Sequence, residues 1–114
     1  MTIVKEAISI QELKQMAQRM FDNVVKAVVD IEKEILAIDA PMHSDEEAEL
    51  LKTGSKQENL WGINLYPDKS SKNDFIEFDS MINLKPGQGN RSRGVEDKKI
   101  RQKIITIVNR LIAK

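Results

Sequence analysis

Residues 86–97, PGQGNRSRGVED, hold the chain's densest set of groups suited to binding an anion. Three of its five glycines, Gly87, Gly89 and Gly94, interleave there with Arg91 and Arg93. Glycine lets backbone N–H groups come close to a ligand. Two guanidiniums, with Asn90 and Ser92 beside them, would grip a phosphate or carboxylate through charge-assisted hydrogen bonds. The familiar nucleotide fingerprints are absent. A P-loop requires Gly-Lys-Ser/Thr, but Gly94 is followed by Val95 and Glu96, and a dinucleotide fingerprint requires a third glycine where Ser92 stands. Two readings remain. In one the loop is an anion or nucleic-acid grip, enlarged by Lys85, Lys98, Lys99 and Arg101. In the other it is a joint whose arginines pair with carboxylates and pin it to the body.

A second constellation is acidic. Residues 75–84 alternate as a strand would, with Ile76, Phe78, Ile82 and Leu84 inward and Glu77, Asp79 and Asn83 outward. Residues 59–66 alternate too, with Trp61, Ile63 and Leu65 on one face and Leu60, Gly62, Asn64 and Tyr66 on the other. If the polar faces coincide, carboxylates and amides converge as an oxygen-ligand metal site or an acid/base pair requires. His43 is the only histidine, and Asp39, Glu46 and Glu47 flank it. An alternative function is therefore a small metal-dependent hydrolase or nuclease using His43, Glu77 and Asp79. Against it, helix capping accounts for the acids near His43, and a solvated sheet face alternates in the same way. No nucleophile is paired with a base, no metal-ligand set is assigned and no cofactor follows.

Composition narrows the class. At 114 residues the chain is expected to be a single domain, 1–114, with 32% charged residues and no cysteine. A disulfide framework and a thiolate nucleophile are excluded. No apolar run suits a signal peptide or a membrane span, so a cytoplasmic protein without membrane contact is expected. Net charge is zero but unevenly spread. Met1–Leu84 carries nine Lys/Arg against sixteen Asp/Glu, and Lys85–Lys114 nine against two. The basic segment would meet an acidic partner, either a phosphate-bearing ligand or nucleic acid, or the protein's own acidic part. The latter needs no extra molecule and allows a structural homodimer with charge-complementary surfaces. Base stacking on a sheet would draw on few aromatics, since Trp61 and Phe78 are expected in the core.

These residues are positioned by a predicted order β-α-β-β-α-β-β-α. Thr2–Glu6 leans to an edge strand. Ser9 and Glu12 form a capping box ahead of a helix over 10–21, whose stripe is Ile10, Leu13, Met16, Ala17, Met20 and Phe21. Val24–Ile31 and Glu34–Ala40 read as a hairpin, though its turn lacks Asn-Gly or Asp-Gly. Ser44–Glu47 reads as a second capping box, and Gly54 as the glycine ending that helix. The 59–66 and 75–84 strands would pair. Asp97 caps a last helix with the stripe Ile100, Ile104, Ile107, Val108 and Leu111. The fold class is α+β, with a mainly antiparallel sheet of four or five strands and three helices.

GSKQENLWGINLYP (54–67), FIEFDSMINLKPGQGNRSRGVED (75–97) and VVDIEKEILAIDAPMH (28–43) resemble a family of small uncharacterised bacterial proteins, a domain of unknown function. The resemblance covers most of the chain. It implies a compact bacterial cytoplasmic protein and brings no activity and no catalytic residues.

Overall fold

The computed structural model describes Met1–Lys114. Its strands and helices are β1 (Thr2–Val4), β2 (Ile8–Ser9), α1 (Ile10–Met20), β3 (Val25–Asp30), β4 (Ile35–Ile38), α2 (His43–Lys52), β5 (Leu60–Leu65), β6 (Ile76–Glu77), α3 (Lys98–Leu111) and β7 (Ile112–Ala113). Five strands form an antiparallel sheet in the order β1-β4-β3-β5-β6. Ile8 and Ile112 open a second, parallel pair, β2 with β7, which ties the start of α1 to the end of α3. The chain is a single compact α+β fold.

Alternation sorts the side chains into two cores. Val25, Ala27 and Val29 of β3 join Trp61, Ile63 and Leu65 of β5 on one face. There they meet Leu13 and Ala17 of α1 and Ile104, Ile107, Val108 and Leu111 of α3, all buried. The opposite face is covered at one end only, where Val28, Ala37 and Leu60 pack against Leu50 of α2. The uncovered end carries Lys26 of β3 beside Asn64 of β5, directly paired in register.

The 24–40 segment is a hairpin, and its turn is held by a side chain rather than by Asn-Gly. Asp30 is 1% exposed. Its Oδ1 accepts the N–H groups of Glu32 and Lys33 at 2.9 and 3.0 Å, and Oδ2 accepts the Ser55 hydroxyl at 2.6 Å. Glu34 closes the turn in the left-handed region at φ 57°.

Three expectations are corrected. The 75–84 stretch is not one strand: only Ile76–Glu77 pairs with β5, a 3₁₀ turn spans Met81–Asn83, and Leu84 is exposed. Met20 and Phe21 leave the α1 stripe and are 39% exposed: Met20 is the last residue of the helix and Phe21 its C-cap. Helix α2 starts at His43 with Met42 as an N-cap making no side-chain hydrogen bond, so Ser44 is not the cap.

Glu46 instead reaches back to accept the Ala40 N–H at 3.3 Å. Its side chain is buried, its Oε1 has no partner, and desolvation pushes its pKa from 4.5 up to about 9. Because the folded value lies above the unfolded one, the contribution to stability is full below 4.5 and is lost as pH rises toward about 9. Glu46→Gln should therefore flatten the pH dependence of urea unfolding and stabilise the protein on the order of 2 kcal/mol near pH 8. Asp30→Ala, which leaves two N–H groups and a hydroxyl without their acceptor, should cost about 3 kcal/mol in the same assay.

Candidate functional site

The segment from Phe78 to Glu96 lies along β5 and completes the uncovered sheet face. The β5–β6 ladder pairs Asn64 with Glu77, so the next partner of Gly62 would be Asp79. The ladder stops there, and a side-chain amide replaces the missing strand. Asn83, fully buried, accepts the Gly62 N–H through Oδ1 at 2.8 Å. Its Nδ2 donates to the carbonyls of Gly62 and Arg93, both at 2.9 Å. Only glycine allows this approach, since a Cβ on Gly62 would stand 2.5 Å from Cβ and Oγ of Ser80.

Asn90 organises the glycine-rich loop. Its Nδ2 donates to the carbonyls of Asn83 at 2.7 Å, Gly94 at 2.8 Å and Ser92 at 3.2 Å. Its Oδ1 accepts the Glu96 N–H at 2.9 Å. The N–H groups of Arg91 and Ser92 point at a carboxylate from the same loop: Glu96 Oε2 accepts them at 2.7 and 2.9 Å. These donors, the Arg91 N–H first, hold the Glu96 carboxyl below its ordinary value. Arg101 donates to the carbonyls of Val95 and Glu96. Lys85 is anchored by Gln57 O at 2.6 Å, and its ammonium lies 5.2 Å from the centre of the Trp61 ring. The backbone donors of the loop are thus filled by its own anion, and the side chain of Arg91 projects outward.

Arg93 takes a different course. Its Nε donates to Asp79 Oδ1 at 2.6 Å, which leaves its two terminal nitrogens without a partner in the chain. It reaches a cleft of about 170 Å³ shared with Lys26, His43, Ser44, Ser80 and Met81. Lys26 makes no ion pair with a carboxylate; its ammonium lies 5.4 Å from the centre of the Phe21 ring. His43 opens α2, and its Nε2 lies 2.8 Å from Ile63 O. A carbonyl only accepts, so Nε2 carries the proton and Nδ1 holds the lone pair. Burial, followed by the charges of Lys26 and Arg93, holds the imidazole below its ordinary 6.5, against the opposing pull of the Ile63 carbonyl and Asp79.

Next to the cleft, Glu77 Oε1 accepts both the Tyr66 hydroxyl and the Asn64 amide at 2.9 Å. Burial and this acceptor hold the Tyr66 phenol above its ordinary value. The structure therefore gathers His43, Asp79 and Arg93 around one cleft, with Asn64, Tyr66 and Glu77 in a hydrogen-bonded group beside it. Asn83 and Asn90 stand behind them as buried ties between backbone segments. No three His, Asp or Glu side chains are grouped to hold a metal ion. His43 has no Ser or Thr hydroxyl as a partner. Sequence reasoning passed over Lys26, although a single lysine among the apolar residues Val25, Ala27, Val28 and Val29 was a usable signal.

A family model described as "Protein of unknown function (DUF5674)" matches residues 2–111, so the chain belongs to that family. No curated protein and no solved structure matches it.

The close approach at Gly62 sets a measurable contrast between two glycines. Gly62→Ala must displace Ser80 and strain the two Asn83 hydrogen bonds to Gly62, at a cost of about 1–3 kcal/mol in thermal or urea unfolding. Gly87→Ala, with open space at its Cβ, should stay within about 0.5 kcal/mol of the parent.

Proposed function

We propose that this DUF5674 protein is a binding module for a small phosphate- or carboxylate-bearing ligand, held in the cleft of Lys26, His43 and Arg93. One observation carries the reading. Three nitrogen-bearing side chains come from three separate elements, β3, the start of α2 and the Gly/Arg loop, and only Arg93 is paired with a carboxylate. That pairing uses Nε and fixes the guanidinium, so the two terminal nitrogens present a fork suited to a tetrahedral or planar anion. Ser44 and Ser80 add hydroxyls, and the first N–H groups of α2 lack a side-chain cap.

Size favours one anionic group over a polymer. A cleft of about 170 Å³ suits a single phosphate, and Glu77 and Asp79 would repel a nucleic-acid backbone laid across the sheet. No side-chain hydroxyl is hydrogen-bonded to His43, so covalent catalysis through a serine finds no support here. The absence of cysteine and the family resemblance suit a bacterial cytoplasm, where we place the protein.

Because the imidazole titrates beside the cleft, anion binding and protonation should be linked. An anion favours imidazolium, so it raises the His43 pKa, and its own affinity grows as pH falls through that value. The chain's single histidine gives one ring signal to follow by NMR. Sulfate, whose charge is constant across the imidazole titration, should move that titration upward in a saturable manner. Lys26→Ala or Arg93→Ala should weaken sulfate by about tenfold, roughly 1.4 kcal/mol. A ring titration indifferent to sulfate would sink the reading.

A further inference from the structure

The largest cavity of the molecule, about 440 Å³, lies on the other side of the sheet, against the open edge of β6 and the outer flank of α3. It falls within the range typical of small-molecule sites, which are mainly apolar with a few convergent polar groups. Its floor is Phe75, Ile76 and Phe78 from the edge, faced by Ile105 from α3. Phe75 is 2% exposed, and Ile76 and Phe78 pack onto the main core, so this floor is fixed by the fold. The rim differs in character. Lys72 and Lys114 stand on it and no Asp or Glu side chain lines the cavity. The nearby Asp74 is engaged by Lys69 at 3.4 Å. Lys114 is held in place, donating to Asn109 Oδ1 at 3.3 Å with its ammonium 4.5 Å from the centre of the Phe75 ring. Lys72 forms no ion pair.

We infer that this cavity is a second ligand site, for an amphipathic organic anion with an apolar body of naphthalene size and one carboxylate or comparable group. The body would cover Phe78, Ile76 and Ile105, and the anionic head would lie between the two lysines. Each part answers a feature of the wall: apolar surface left open beside the core gains from burial, and two ammonium groups with no Asp or Glu on the wall gain from a single negative charge. The site shares no residue with the Lys26–His43–Arg93 cleft and stands independently of it.

Anilinonaphthalene sulfonate, a fluorescent anion of this shape, is the probe. Titrated into the folded protein, it should brighten to saturation with one site per chain. Lys72→Glu combined with Lys114→Glu, both on exposed side chains, should weaken it by about tenfold or more, and Ile105→Glu should do the same by placing a carboxylate on the apolar wall. Naphthoate should displace the probe about tenfold more effectively than neutral naphthalenemethanol. No brightening, or unaltered binding in both variants while they melt as the parent does, overturns the site. Equal displacement by the neutral alcohol overturns the anionic class of ligand.

Discussion

The buried amide of Asn83 is the interaction on which the non-regular third of the molecule depends. Where the β5–β6 ladder ends, the backbone of Gly62 would otherwise be left in the interior with a donor and an acceptor unmet, a cost of a few kcal/mol. One planar amide satisfies both and has a second N–H for Arg93 O. A strand residue could do this only with its backbone, and would then continue the ladder. A side chain lets the main chain leave the sheet, so residues 84–97 can form a loop with a second asparagine at its centre. Asn90 repeats the device, joining the carbonyls of Asn83, Ser92 and Gly94 to the N–H of Glu96. Arg93 is placed by Asn83 and the Ser80 N–H, which both donate to its carbonyl while its side chain turns toward Asp79.

That device also explains where the sequence misleads. The regular core was legible, because the alternation over 59–66 and the 3.6-residue stripe of 98–111 mark faces that bury themselves. The hairpin over 24–40 was legible from its two apolar runs, although the carboxylate of Asp30 does the work a glycine turn would have done. The strand read over 75–84 failed because alternation cannot distinguish an asparagine facing solvent from one replacing a strand. Asn83 falls on the polar beat of the pattern and is fully buried. The same blindness affects the Gly/Arg loop. Its composition is that of an anion grip, yet the anion its backbone holds is Glu96, five residues beyond Arg91 and in sight as a sequence feature that argues only repulsion.

The division of charge along the chain acquires a partial account. Four ion pairs form, and two of them join the basic C-terminal segment to the acidic part before it, Arg93 with Asp79 and Arg110 with Glu34. Three lie on exposed side chains at both ends, where such pairs contribute little to stability, and in Arg19–Asp39 the carboxylate is half-buried. Their value is in placement: Arg110 docks the end of α3 on the β3–β4 turn, and Arg93 docks the loop on the strand it leaves. Lys98, Lys99 and Lys103 stay exposed and unpaired along α3.

Burial of Glu46 completes the electrostatic logic of the proposed anion cleft. Lys26 lies close enough to Glu46 for its charge to be felt, drawing the carboxyl downward, but desolvation dominates and leaves that carboxyl neutral at physiological pH. An ionised Glu46 would compensate Lys26 and remove the reason for a ligand to enter. The two carboxylates on the exposed side are occupied as well, Asp79 by a single nitrogen of Arg93 and Glu77 by Tyr66 and Asn64. Lys26 thus stands without an ionised carboxylate as its partner, and the Asp79 pairing leaves the two terminal nitrogens of Arg93 free. The fold sustains this at a cost, since a neutral carboxyl with one unmet oxygen is less stable the higher the pH. Glu46 nonetheless supplies the acceptor for the buried Ala40 N–H, which an apolar side chain would leave unmet, and it does so without setting an ionised carboxylate beside Lys26.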